Sequence, residues 1–582
     1  MKKIFTYFKP YKWQSLLGPL FKLLEATFEL LVPIVVGLIV DKGLGATVDG
    51  GYPNADKSYI AWSCALLGAF GLLGMVFAVA AQYFAARTAT GVSARLRHDL
   101  FKKIQSLSYK DIDKLGGSTL LTRMTSDVDR LQTGINLALR LLLRSPFIVF
   151  GAVVTACIID PNSFGVFALT VVALAIVVYA VMFACMPLYK KSQARLDDVL
   201  LSTRENLAGA RVIRAFRKEE SEERLFEKRN GALNESRKFV GGIAAITNPL
   251  TYALVNLGVI ALLWTGAIRV DSGSLTQGEV LALYNLMSQI LIELIKLANL
   301  IVTITKATAC GSRIEKVLLT QPSVRSLEQS AEKEGKDEDF IVFDDVTLRY
   351  SDEADAAIEN VSFTVKKGER VGVIGGTGSG KTTLVNLIPR FYDVCGGQVR
   401  VDGVNVKEKN LEKLRASIAV VPQKALLFKG TIRENLRFGK PDATDEELYL
   451  ALRRAQAEGF VLEKDGLDTP VEQGGKNFSG GQKQRLTIAR ALVRDPEILI
   501  LDDASSALDY ATDAALRKEI SSLDTTAFIV SQRVSSVKFA DKIIVLDDGK
   551  VVGIGTHDEL LNGCEVYAGI YASQTKSGGQ AV

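Results

Sequence analysis

The stretch RVGVIGGTGSGKTTLVNLI, Arg370 to Ile388, decides the fold of half the chain. A β-branched run, Val371 to Ile374, enters Gly375-Gly376-Thr377-Gly378-Ser379-Gly380-Lys381-Thr382-Thr383, and an amphipathic helix begins there. Glycines at these positions let backbone N–H groups curl around phosphate oxygens, and the helix start adds partial positive charge. In this pattern Lys381 is expected to reach β- and γ-phosphates, and the Thr382 hydroxyl to hold Mg²⁺. A strand before the glycines and a helix after them give the pattern the context it needs.

Further along, the apolar run ILILD, Ile498 to Asp502, reads as a second buried strand, with Asp502 as the carboxylate of a magnesium shell. Between the two lies NFSGGQKQRLTIARAL, Asn477 to Leu492. Ser479-Gly480-Gly481-Gln482 opens a basic amphipathic helix and forms a second anion cradle. One nucleotide has no need of two γ-phosphate cradles in one chain. The second is therefore expected to close on a nucleotide held by another chain.

Upstream of residue 320 the composition changes. The chain has 582 residues, 48% hydrophobic and 23% charged, with a mean hydropathy of +0.18 and a net charge of +5. That mixture predicts a membrane part joined to a soluble part. Long apolar runs fall near 15–40, 59–86, 139–160, 164–188, 241–268 and 278–306, each long enough to cross a bilayer as a helix. The connections after the second and fourth runs are long and basic, carrying Arg87, Arg95, Arg97, Lys102 and Lys103 in one and Lys190, Lys191, Arg195, Arg204 and Arg211 in the other. Basic loops stay in the cytoplasm, so these segments, both termini and the soluble part are expected inside. The fold class expected is a six-span α-helical membrane domain followed by an α/β phosphate-loop domain. Its boundaries are placed at 1–320, a linker at 321–339 that includes the charged SAEKEGKDED, a second domain at 340–575 and a tail at 576–582. MKKIFTYFKPYKW at the start lacks a secretory cleavage site and reads as mature sequence. The six cysteines show no metal-type spacing.

With these motifs in place, the whole chain resembles an ATP-binding cassette exporter half-transporter. FSGGQ resembles the family's signature motif and GGTGSGKT its Walker A. Tyr350, in VTLRYSDEADAAIENVSF, matches the residue that stacks on adenine. Gln423, in VVPQKALLF, matches the glutamine that touches Mg²⁺ or the lytic water. Glu472 precedes the signature where the family's coupling contact lies, and Ser506 to Asp509 match the D-loop. LTRMTSDVDRL and ENLAGARVIRAF resemble the stretches flanking two cytoplasmic coupling helices. The resemblance implies ATP and Mg²⁺ as cofactors and a head-to-tail dimer with two ATP molecules at its interface. It also implies a small-molecule substrate, surrounding lipid, no nucleic acid, and a multi-pass place in a bacterial cell membrane.

Two positions depart from the family's pattern. Its general base is a glutamate after the Walker B aspartate, and here that residue is Asp503. One methylene fewer pulls the carboxylate back by about 1.5 Å, and misplacement near 1 Å costs on the order of 100-fold in rate. The family's switch histidine is replaced by Gln532, which can donate to a phosphate oxygen but cannot relay a proton. The only histidines, His98 and His557, lie elsewhere in sequence and read as structural. A site that binds ATP and hydrolyses it poorly is expected. In a homodimer both sites would share that defect, so a heterodimer with an intact homologous half-transporter is expected. The alternatives are a homodimer with slow turnover, an importer of siderophores or metal chelates, and a regulatory subunit.

Within the membrane, Lys22, Glu25 and Glu29 fall on one face of the first run. Asn285, Gln289, Glu293 and Lys296 fall on one face of the last. Such charges avoid lipid. They are expected either to wall a substrate cavity or to pair between spans. Export of amphipathic drugs or lipids leads on the family's habit.

Overall fold

The computed structural model describes residues 2–44, 56–326, 339–351 and 354–578; most of the expected linker and the last four residues lie outside these. The chain divides into two compact units, Met1–Gln105 with Ser118–Thr320, and Ser106–Gly117 with Gln321–Val582.

The first unit is helical. Among the described residues, six helical stretches are long and apolar enough to cross a membrane, as expected: Lys9–Gly43, Lys57–Gln105, Gly117–Ile159, Pro161–Ala208, Glu219–Asp271 and Gln277–Leu319. A helix rises 1.5 Å per residue, so a stretch of 53 residues is about 80 Å long, well beyond the hydrocarbon thickness. The basic residues Arg87 to Lys103 and Lys190 to Arg204 continue two of these helices, and Arg211 lies past Gly209 in the short helix Ala210–Ala215. Small residues permit the tightest contact: a Cβ on Gly278 would sit 2.0 Å from the Gly37 carbonyl oxygen. The Gly278 amide and the Thr276 hydroxyl, at the start of the last helix, donate to the Asp41 carboxylate at 2.7 and 2.6 Å. The end of the first helix thereby caps the start of the last.

The second unit carries β1 (Ile341–Leu348), β2 (Ile358–Val365), β3 (Arg370–Gly375), β4 (Gly396–Val401), β5 (Val404–Asn405), β6 (Ile418–Val421), β7 (Gly430–Thr431), β8 (Pro470–Val471), β9 (Ile498–Asp502), β10 (Thr526–Val530), β11 (Lys542–Asp547) and β12 (Lys550–Gly555). One sheet is antiparallel in the order β2-β1-β4-β5. The main sheet runs β12-β11-β3-β10-β9-β6, parallel except for the β12 edge. All five residues of β9 are buried, which explains why ILILD shows no polar alternation: a parallel strand covered on both faces needs none. β3 and β9 flank β10, so the loops leaving their carboxyl ends converge at one edge of the sheet. Ligands bind at such edges in open α/β sheets.

Candidate nucleotide site and membrane charge network

The phosphate loop leaves β3 and enters the helix Lys381–Asn386. Gly378 and Gly380 adopt φ of 85° and 93°, values that favour glycine. A Cβ on Gly380 would meet the Ala357 carbonyl oxygen at 2.6 Å, so that position needs glycine for space as well. The Lys381 ammonium donates to the Gly375 and Gly376 carbonyls at 3.0 and 2.5 Å and reaches Ser379 Oγ at 3.3 Å. Burial pushes its pKa below the usual lysine value, against the pull of Asp503 and Asp502. Among the described residues the hydrogen-bond partners of this cation are neutral oxygens, so an anionic ligand would satisfy it better.

At the end of β9, Asp502 Oδ1 accepts from the Thr382 hydroxyl at 3.0 Å. Burial raises the Asp502 pKa and the Asp503 charge adds to the rise, while Thr382 and Lys381 work against it. The hydroxyl of the exposed Thr382 facing the buried Asp502 carboxylate, with the Gln423 amide on the same wall, forms the hard-oxygen set that Mg²⁺ takes. The residues therefore fit Mg-ATP: glycine amides for phosphate, Lys381 for charge, and Thr382, Asp502 and Gln423 for the metal.

These groups share one cleft of about 280 Å³, walled by Tyr350, Thr377, Gly378, Gly380, Lys381, Thr382, Thr383, Gln423, Asp502, Asp503 and Gln532. Asp503 has φ 48°, a left-handed backbone that aspartate tolerates. Its carboxylate lies 3.5 Å from Gln423 Nε2. The Tyr350 hydroxyl is 2.9 Å from Thr383 Oγ1, and its ring meets Tyr392 edge-on, with centroids 5.2 Å apart.

None of Ser479, Gly480, Gly481 or Gln482 lines that cleft. Ser479 caps the helix Gly480–Leu492 in a reciprocal pair with Gln482, and Ser479 and Gly480 are exposed. Ser506 Oγ donates to the Asp503 carbonyl at 2.9 Å, and Asp509 caps the helix Tyr510–Ser521. Glu472 is exposed beside β8. His557 pairs with the Tyr567 hydroxyl at 2.7 Å, outside the cleft, in keeping with a structural role.

In the membrane unit the two polar stripes meet through Arg144, a residue the sequence reading passed over. Arg144 pairs with Glu29 at 2.5 Å and with Glu293 at 2.7 Å. Ser145 and Lys296 donate to Glu293 at 2.8 Å each, and Gln289 Nε2 donates to the Glu29 carbonyl at 3.3 Å. Lys22 pairs with Glu25. Glu293 is buried and fully engaged, so pairing between spans accounts for it. Glu25, Glu29 and Arg144 also border a cleft of about 530 Å³ beside Phe28 and Phe70. The signal for Arg144 was a lone arginine in the apolar text LLLRSPFIVF, Leu141 to Phe150.

Comparison with known proteins agrees with this geometry. Residues 15–294 match the family model "ABC transporter transmembrane region" and residues 358–506 the model "ABC transporter". The Mycobacterium tuberculosis "Uncharacterized ABC transporter ATP-binding protein Rv1273c" is 35% identical over 576 residues, 98% of this chain and 97% of that protein. The Bacillus subtilis "Putative multidrug export ATP-binding/permease protein YgaD" is 30% identical over 587 residues, covering 99% of each. A solved structure of a bacterial Atm1-family ABC exporter with ATP bound shares the fold, with a TM-score of 0.79 at 24% identity over 97% of this chain and 98% of that one. The chain belongs to the ABC transporters, as an exporter-type half-transporter with a membrane region followed by one nucleotide-binding domain.

Proposed function

We propose that this chain is one half of an ATP-driven exporter of amphipathic small molecules, and that its own Walker site holds Mg-ATP but turns it over slowly. The observation that carries the reading is that Asp503 and Gln532 wall the same cleft as Lys381, Thr382 and Asp502. Both departures from the family's pattern sit at one site whose binding elements are complete. A general base or acid is worth about 10²–10⁴-fold in rate. Here one carboxylate is shortened and one imidazole is an amide.

The signature, Ser479 to Gln482, with Ser479 and Gly480 exposed, is free to face another chain's nucleotide, with Gln423 and Glu472 as the residues that meet the coupling segments and Ser506 and Asp509 as the D-loop contact. A different half-transporter with glutamate and histidine at the two positions would gain a competent site from this signature. The cytoplasmic face of a bacterial cell membrane is the expected place for the nucleotide-binding domain. The substrate reading draws on the relative described as a multidrug export protein, and on Glu25 and Glu29, which border the membrane cleft beside Arg144, as candidates for a polar cavity wall. A homodimer with slow turnover is the second reading, favoured by the Asp503 carboxylate remaining beside Gln423.

The test is to co-express this chain with a half-transporter that carries both residues, purify the mixed dimer in lipid, and load it with radiolabelled ATP and Mg²⁺. The reading expects uncleaved ATP retained at this chain's Walker A while the other site produces ADP. Equal conversion at both sites would defeat it.

A further inference from the structure

Gln532 reaches the nucleotide cleft from the loop that follows β10, and the backbone of that loop is held from outside the cleft. The Gln574 side chain lies on the C-terminal helix Glu565–Gly578. Its Nε2 donates to the Gln532 carbonyl at 2.7 Å, and its Oε1 accepts from the Val534 amide at 2.9 Å. The carbonyl of one residue and the amide two residues later point to the same side of an extended chain. A primary amide meets both as the peptide group of a neighbouring strand would. Gln574 is itself exposed, a place where a glutamine ordinarily makes its bonds to water.

The helix that carries Gln574 is fixed. Tyr567 is fully buried against Ile374, Val534 and Val545, and its hydroxyl pairs with His557. Tyr567, Tyr571 and Gln574 are spaced at i, i+4 and i+7, one stripe of the helix. Ile374 lies in β3 immediately before the phosphate loop, so the same packed cluster supports that loop and the helix clamping the Gln532 backbone. On the inner side, the Ser531 amide bonds the Val373 carbonyl at 3.0 Å and the Ser531 hydroxyl accepts from the Arg533 amide at 3.0 Å. The loop backbone is held on both sides, and only the Gln532 side chain remains to face the ligand.

We infer that Gln574 is a positioning residue that sets the γ-phosphate contact of Gln532, so that the C-terminal helix tunes how strongly this site prefers ATP to ADP. The inference rests on the reading of the cleft as an ATP site. Gln532 is the group that would meet the γ-phosphate, and ADP lacks that phosphate. Loosening the loop therefore weakens ATP selectively. Two ordinary hydrogen bonds set the scale at roughly three- to tenfold.

The experiment uses the full-length chain in lipid nanodiscs, titrated with fluorescent ATP and ADP analogues and Mg²⁺. Gln574→Ala is expected to weaken ATP by about three- to tenfold while ADP stays within about twofold. Gln574→Glu is expected to be worse than alanine, because it sets a carboxylate oxygen against the Gln532 carbonyl; on an ordinary exposed helix face the same change would be harmless. In a Gln532→Ala background, Gln574→Ala is expected to add nothing to the ATP-to-ADP ratio. Parallel weakening of both nucleotides, a Gln574→Glu protein that binds like the wild type, or an undiminished effect in the Gln532→Ala background would each overturn the inference alone. Absence of nucleotide binding in the wild type would overturn the reading of the cleft, and this inference with it.

Discussion

Gln423 Nε2 stands 3.5 Å from the Asp503 carboxylate, beyond the usual 2.7–3.2 Å range for an N–H···O bond. Thr382 and Asp502, on the same wall, meet at 3.0 Å. The shortened acid is thus the loosely held member of the site, and the metal pair is the firm one. Asp503→Asn should leave Mg-ATP affinity within about twofold, whereas Thr382→Ala should weaken it by about tenfold, the loss of one hydrogen bond to a charged group. Titration of the two variants with ATP at fixed Mg²⁺ checks the difference.

Proton competition at Asp502 gives a second outcome. Burial and the Asp503 charge raise its pKa, so protonation begins at a higher pH than for an ordinary aspartate. Mg²⁺ requires the carboxylate form. Mg-ATP affinity should therefore fall on acidification at a higher pH than an ordinary aspartate would give, and Asp503→Asn, by removing one raising charge, should move that fall to lower pH. ATP titrations across pH, with Asp502→Asn as the pH-insensitive reference, test the sign.

The Tyr392 hydroxyl donates to the Asp113 carboxylate at 2.8 Å, while its ring meets Tyr350 edge-on. Tyr109 packs on Phe391 beside it, with centroids 4.6 Å apart. The short helix Tyr109–Leu115 precedes LTRMTSDVDRL, one of the stretches that resemble the flanks of a coupling helix. Tyr392→Phe should keep nucleotide affinity within about twofold yet lower substrate-stimulated transport by about tenfold, because a hydrogen bond to a charged group is worth about 1.5–3 kcal/mol. Parallel measurement of ATP binding and vesicle transport separates the two effects.

Arg144 is buried between Glu29 and Glu293. Arg144→Met would leave the buried Glu293 with Lys296 as its remaining cation. Removing one partner of a buried ion pair costs about 3–5 kcal/mol. Thermal unfolding in detergent should show a clear loss of stability for Arg144→Met and a smaller one for the double change with Glu293→Gln.

The phosphate loop and the six long helices were legible because each is set by local rules: glycine where the backbone needs positive φ or space, and unbroken apolar length where a bilayer must be crossed. Glu29 and Glu293 were legible as polar positions on their helices, but their shared partner was not. Arg144 meets them across 115 and 149 residues of sequence, a choice made by helix packing. Gln574 left no mark either, since a glutamine on the exposed face of a terminal helix is ordinary until the fold places it against Gln532 and Val534. Tyr392 likewise reads as a core aromatic until Asp113 is brought to it.

ATP turnover by the purified chain alone, in lipid, distinguishes a degenerate site from a competent one. Slow hydrolysis is expected, little changed by Asp503→Asn, with a gain on the order of 100-fold when Asp503→Glu and Gln532→His are made together. A wild-type chain that already hydrolyses ATP at the double variant's rate, and loses that activity in Asp503→Asn, would contradict the degenerate site.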